Sequence, residues 1–396
     1  MTRASYGTGE DLAHSMIQRE AEGLGLVIRT DAIGSLYITL PGLNRSEPAL
    51  MTGSHLDSVP HGGNYDGAAG ALAGLVMLER LLDYAPPPCD VTLMVIRAEE
   101  MIWFPEHYLG SRAAFGLLPP DTPDHVRRSD TGLTLSEHII AAGFDPDAIR
   151  SSKPQITASA IRAFVEVHIE QGPMLVQANR PVGIVSSIRG NIRHRFGKII
   201  GETTHAGGVP RNLRRDVVLA GADLLGQLEG FWQEAEARGE DLVITVGEFA
   251  TDAASHGITK VPGLLRFSLD ARSQSETVLD TLEAFLQEQA VRIGQQRRVK
   301  IELGPRTRAA VAPMAPDVIA GLQGAAEACG VSCLDLPSGG GHDCAVFAGQ
   351  GVRCGMIFVR NENGSHNPDE RMEFKDFAAA CDVLTKWVQS ELQISR

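Results

Sequence analysis

Five short stretches of this chain carry side chains that bind metals or move protons. Gly53-Ser54-His55-Leu56-Asp57 sets a carboxylate two residues after an imidazole. That spacing lets Asp57 hold His55 in one tautomer while the other ring nitrogen binds a metal. Asp66 lies in the glycine-rich Gly62-Gly63-Asn64-Tyr65-Asp66-Gly67, and taken singly it reads as a turn or helix-capping residue. Glu99 and Glu100 follow an apolar run. Most such pairs face solvent, but as a working pair Glu100 ligates a metal and Glu99 serves as general base and then acid. His168 sits in the β-rich Val165-Glu166-Val167-His168-Ile169-Glu170-Gln171-Gly172-Pro173, and His366 in the loop Gly364-Ser365-His366-Asn367-Pro368. Each histidine alone has an ordinary structural explanation. Together His55, Asp66, Glu100, His168 and His366 form a borderline nitrogen and oxygen donor set with a bridging carboxylate, which suits two divalent ions about 3.5 Å apart.

Such a constellation needs rigid elements to bring it together. The first part of the chain alternates helical and extended patterns: a helix over 10–22, an extended pair over 26–40, a strand over 49–53, a small-residue helix over 67–84 and an apolar strand over 91–96. Alternation of this kind predicts an α/β fold whose catalytic domain has a mixed, largely parallel sheet flanked by helices. Chemistry in such sheets gathers at the carboxyl ends of strands, and the motifs above follow predicted strands. Residues 189–303 carry a different pattern, with helices over 216–239 and 277–295 among four strands. This predicts an inserted α+β unit, so the domains expected are 1–188 with 304–396, and 189–303. The α/β pattern resumes with a strand over 355–359 and a closing helix over 374–392.

At 396 residues the chain is long enough for two cores, and 43% hydrophobic against 21% charged residues argues against disorder. A net charge of -13 without a dense Lys/Arg run excludes nucleic acid as the expected partner. The six cysteines show no CxxC spacing and read as reduced structural thiols. No signal-peptide pattern opens the sequence and no apolar run is long enough to span a bilayer, so a soluble, cytoplasmic protein is expected.

With these residues assembled, the sequence resembles the hydantoinase/carbamoylase-type amidases of the two-metal aminoacylase and dipeptidase superfamily, which include N-carbamoyl-L-amino acid hydrolases and allantoate amidohydrolases. The resemblance runs nearly end to end. It is carried by the His55, His168 and His366 stretches together with Thr204-His205-Ala206-Gly207 and Ser338-Gly339-Gly340-Gly341-His342-Asp343. It implies that His55 and His168 bind one metal, Glu100 and His366 the other, and that Asp66 bridges them. Zinc is the first expectation, with manganese, cobalt or nickel as alternatives. It further implies that Asp57 orients His55, that a metal-bridging hydroxide attacks an amide or ureido carbonyl, and that Glu99 is the base. The inserted domain is implied to be a ferredoxin-like dimerisation or lid domain in a homodimer, with His205 stabilising the oxyanion in the neighbouring subunit's site. Arg272 matches a position that pairs with the substrate carboxylate, and Gln171 and Gly340 match substrate-contacting positions.

The chain departs from this pattern in two places. Met101-Ile102-Trp103-Phe104 replaces the Gly-x-Arg-Phe of relatives, and Thr259 stands where relatives carry the Asn of the lid. One expectation is therefore that Trp103 lines the pocket, with His107 offering a hydrogen bond, and favours a bulkier or aromatic substrate. The other is that Trp103 turns inward and packs beneath the loop. The activity expected is cleavage of a linear amide or ureido bond in a small carboxylate substrate. A different amide, ureide or dipeptide, or a silent metal-binding relative, is the alternative.

Overall fold

A computed structural model describes residues 1–395. It separates into two compact units, Met1–Ile188 with Pro313–Arg396, and Arg189–Ala312.

The first unit is α/β. At the heart of a nine-stranded mixed sheet, Val91–Ile96, Ala49–His55, Ile161–Ile169 and Cys354–Val359 lie side by side, each parallel to its neighbour. Leu36–Leu40 flanks them antiparallel on one side and Val182–Ile188 on the other. Every residue of Val91–Ile96 and of Cys354–Val359 is buried, as expected for strands covered on both faces. The helix Phe374–Glu391 packs against both Ala68–Leu81 and Pro316–Ala328, with Met77, Leu78, Leu322 and Trp387 in the principal core. Two glycines let Ala68–Leu81 reach the sheet. A Cβ at Gly70 would lie 1.9 Å from Val167 O, and one at Gly74 2.6 Å from Leu93 Cδ1.

A smaller core joins Tyr6, Ile33, Trp103, Phe104, Leu109, Leu135 and Ile139. It rests on short helices such as Leu109–Ala114 and Leu135–Ala141, too brief to show a helical period in sequence.

The second unit is α+β. Its five-stranded antiparallel sheet runs Lys300–Glu302, Gly190–Ile200, Leu264–Ser273, Val243–Thr251, with Arg306–Ala309 also paired to Gly190–Ile200. The helices Val217–Ala237 and Glu276–Arg297 start at Asp216 and Ser275, whose side chains accept the first backbone N–H groups. They bury Leu224, Leu228, Leu282 and Leu286 with Leu265 and Phe267 of the sheet. Arg306–Ala309 pairs with Gly190–Ile200, and this unit runs on to Ala312, past the expected end at 303. No helix among the described residues is long and apolar enough to cross a membrane.

Candidate metal centre

His55 ends its strand and His168 lies near the end of the adjacent parallel strand, so the fold delivers both imidazoles to one edge of the sheet. Their rings stack with centroids 5.7 Å apart. Each ring is oriented through Nδ1. His55 Nδ1 lies 3.2 Å from Asp57 Oδ1, and His168 Nδ1 donates to Ile169 O at 2.9 Å. Both Nε2 atoms are thereby left facing Asp66 Oδ1, at 3.6 Å and 3.1 Å. Gly67, at φ 65°, opens the next helix, and a Cβ there would come 2.5 Å from the His55 ring. Only glycine combines that backbone conformation with that approach.

The other Asp66 oxygen faces a second group. His366 Nε2 lies 3.2 Å from Asp66 Oδ2 and 3.6 Å from Glu100 Oε1. The five expected donors thus form two overlapping clusters, His55–Asp66–His168 and Asp66–Glu100–His366, and within each the donor atoms are all within 4.8 Å of one another. Imidazole nitrogens and carboxylate oxygens so disposed fit divalent transition ions.

Asp57 has a wider part than orienting one histidine. Its carboxylate accepts from the backbone N–H of Glu99 at 3.2 Å and of Glu100 at 3.1 Å, and from the Ser5 hydroxyl at 2.6 Å. It therefore ties the His55 strand to the glutamate pair. Glu99 Oε2 reaches to 3.9 Å from His55 Nε2. Left-handed backbone recurs here in residues that ordinarily avoid it: Ala98 before the glutamates at φ 52°, Gln171 at 61° and His366 at 62°.

The charges are poised for a cation. Burial, reinforced by Glu100, Asp343 and Asp57, pushes the Glu99 carboxyl well above the usual carboxylate range against the pull of His55. Burial and the neighbouring Asp66 push Glu100 up to about 7. Burial also opposes ionisation of Asp66, but hydrogen bonds from His168 and His366 prevail and hold it well below the usual range. Burial disfavours a charged His55, yet Asp57 and Glu99 outweigh it and raise the imidazole well above its ordinary value. Carboxylates that draw nearby imidazoles toward the charged form mark a surplus of negative charge that a metal ion neutralises.

The remaining expected residues fall in three places. Gln171 Nε2 donates to Asp66 Oδ2 at 2.8 Å and so reaches the donor clusters, and Gly340 lies beside it, where a Cβ would come 3.2 Å from Gln171 Oε1. The expectation of Trp103 as a pocket wall is corrected. It is buried in the smaller core, and its indole N–H donates to Ser58 O at 2.8 Å. The apolar surface left exposed beside the glutamates belongs to Met101 and Ile102. His107 is exposed, its ring beside Tyr108 at 5.5 Å. His205, Thr259 and Arg272 belong to the second unit. There His205 pairs with Lys260 and Thr259 O accepts from Ala206 N–H at 2.8 Å, while Arg272 lies on Leu264–Ser273 and donates to Asp270 at 2.9 Å and 3.0 Å.

Sequence reasoning missed the supports: Ser5 beneath Asp57, and Ser365 and Glu370 beside Asp66. It also missed His342, buried edge-on to His168 at 4.5 Å with Nε2 2.9 Å from Ser338 Oγ. The histidine in Gly340-Gly341-His342-Asp343 was the one available signal.

Fold and site define a class: an α/β protein with an imidazole and carboxylate centre at the ends of parallel strands. Comparison with known proteins makes it specific. The peptidase family M20/M25/M40 matches residues 51–390, and the chain belongs to that family. It is 34% identical to an N-carbamoyl-L-amino acid amidohydrolase of Geobacillus stearothermophilus, over 98% of this chain and 93% of the relative. It is 31% identical to an allantoate amidohydrolase of Escherichia coli strain K12, over 97% and 91%. A hydantoinase/carbamoylase family amidase from Burkholderia multivorans shares the fold, with a TM-score of 0.88 over 99% of this chain and 92% of that one at 24% identity. These findings bear out the resemblance read from the motifs.

Proposed function

We propose that this chain is a metal-dependent amidohydrolase that cleaves a linear amide or ureido C–N bond in a small carboxylate substrate of N-carbamoyl or N-acyl amino-acid type. The observation that carries the reading is the convergence of both donor clusters on the two oxygens of Asp66, with Glu99 alongside. The substrate class follows the carbamoyl amino acid and allantoate amidohydrolases among its relatives. Two divalent ions, zinc before manganese, cobalt or nickel, would be held by His55, His168 and Asp66 and by Glu100, His366 and Asp66, supplying Lewis-acid polarisation of the carbonyl and acidified water.

The chain's own residues do the rest. Glu99 takes a proton from the attacking water and delivers it to the leaving nitrogen. Burial pushes that carboxyl upward, which favours the protonated form that donates to the leaving nitrogen. Asp57 keeps His55 in the metal-binding tautomer. Gln171 and Gly340 orient the substrate, Arg272 pairs with its carboxylate, and Thr259 replaces the usual lid amide. We further propose a cytoplasmic homodimer in which the partner subunit's His205 stabilises the developing oxyanion. Retention of Glu99 favours turnover over a silent binding role.

The test is to load the protein with metal, offer N-carbamoyl, N-formyl and N-acetyl amino acids, ureides and dipeptides, and follow amine release. Release from a carbamoyl or acyl amino acid is the expected result. Cleavage of dipeptides alone moves the reading to a peptidase, and no release from any of them overturns it.

A further inference from the structure

The loop that presents His366 is held to Asp66 through one side chain that lies outside the motifs read from the sequence. Glu370 is 7% exposed and spends both carboxylate oxygens on this junction. Oε1 accepts from the backbone N–H of Tyr65 at 2.8 Å and of Asp66 at 3.3 Å. Oε2 lies 2.6 Å from Ser365 Oγ, which is itself 2.7 Å from Asp66 Oδ2. Glu370 thus grips the backbone of the shared carboxylate and sits against the Ser365 hydroxyl that also reaches its side chain.

Two details show that the junction is built for this. The loop beyond it is tied to itself: Asn361 Nδ2 donates to Gly364 O at 2.6 Å, Asn363 Nδ2 to Asp369 O at 2.7 Å and Asn367 Nδ2 to Asn363 O at 2.9 Å. A loop so stapled moves as a piece, and His366 moves with it. Gly63 clears the space, because a Cβ there would fall 2.0 Å from Glu370 Oε1. Ser365 also has one hydroxyl hydrogen for two carboxylates. It can donate to Asp66 or to Glu370 but not to both at once.

We propose that Glu370 is a positioning residue that locks the Asp66 loop to the His366 loop, so that the two donor clusters share one frame. The inference rests on the two-ion reading above. Loss of Glu370 frees the His366 loop, and the ion held by Glu100 and His366 weakens before the one held by His55 and His168. Partners of this kind typically set metal affinity by about 10–100-fold.

Calorimetric titration of zinc into metal-free wild type, Glu370→Ala, Glu370→Gln and Gly63→Ala tests this, with electron paramagnetic resonance of the manganese-loaded proteins to read coupling between two ions. Wild type should take two ions per chain. Glu370→Ala should lose about 10–100-fold in affinity for one ion, with weakened spin coupling. Glu370→Gln keeps an oxygen for the two backbone N–H groups and an NH2 for Ser365, and should stay close to wild type. Gly63→Ala should weaken the same ion by driving Glu370 from the junction, because a Cβ there would lie 2.0 Å from Glu370 Oε1 and 2.5 Å from Glu370 Cβ. Unchanged affinity and coupling in Glu370→Ala, or in Gly63→Ala where the first variant does not fold, overturns the proposal. A wild type that binds no pair of ions overturns the two-ion reading and takes this inference with it.

Discussion

The two halves of the centre share Asp66 and differ in nearly everything else. His55 and His168 stand on neighbouring parallel strands with side chains 2% and 1% exposed. His366 hangs from a loop in a left-handed conformation with its side chain 52% exposed. The inner cluster is held by the sheet, whose strands cannot shift without breaking their ladders. The loop of the outer one rests only on a two-residue ladder, Asn361–Glu362 with Arg371–Met372, outside the main sheet, and depends on side-chain ties. The sheet holds one half of the centre in place, and the loop leaves the other half exposed.

The most damaging way to probe this comparison is to remove what the halves share. Asp66→Ala should lose both ions and all measurable turnover, read by metal analysis after dialysis. Retention of a tightly held inner ion would show that the sheet alone suffices. Next in size is Glu99→Gln, which should lower turnover by about 10²–10⁴-fold while both ions remain, because it removes a proton carrier and no donor. Loss of metal in that variant would make Glu99 a ligand instead. A smaller and more selective effect separates the halves directly. His366→Ala should surrender one ion to a mild chelator and keep the other, whereas His168→Ala should disturb the inner ion first. Identical release curves would mean that burial and strand support make no difference.

How much of this was legible in sequence follows the same division. Motifs at strand ends announce themselves, because an apolar run followed at once by His55-x-Asp57 or by Glu99-Glu100 is visible to local reading. Asp66 showed only as a turn residue, and its shared role needed the joint pattern. Ser365 and Glu370 were invisible, since their contacts with Asp66 span 299 and 304 residues and serine or glutamate carries no signal alone. Trp103 was left open in the opposite way. The residue type was legible but not its direction, and its indole turned to the Ser58 carbonyl. The outer reach of the second unit was missed because Arg306–Ala309 has no apolar alternation and becomes a strand only by pairing with Gly190–Ile200.

The smallest expected effect sharpens the comparison between the halves. Ser5 is fully buried and donates to Asp57 Oδ2 at 2.6 Å, the same oxygen that accepts from Glu100 N–H at 3.1 Å. Burial works to raise the Asp57 carboxyl, but His55, the Ser5 hydroxyl and the Glu100 N–H outweigh it and hold it below the usual range. A carboxyl depressed in the folded state adds stability above its unfolded value of about 3.9, and that stability is lost as pH falls through the lower folded value. Ser5→Ala removes one donor to a charged group, so metal-free protein should lose about 1.5–3 kcal/mol at neutral pH, measured by urea unfolding. The loss should shrink at acid pH, where the protonated carboxyl no longer needs the donor. A loss independent of pH would reduce Ser5 to ordinary packing. If the pH dependence holds, metal affinity should fall at both clusters, because Asp57 holds His55 of the inner one through Oδ1 and the backbone of Glu100 of the outer one through Oδ2, the oxygen Ser5 serves.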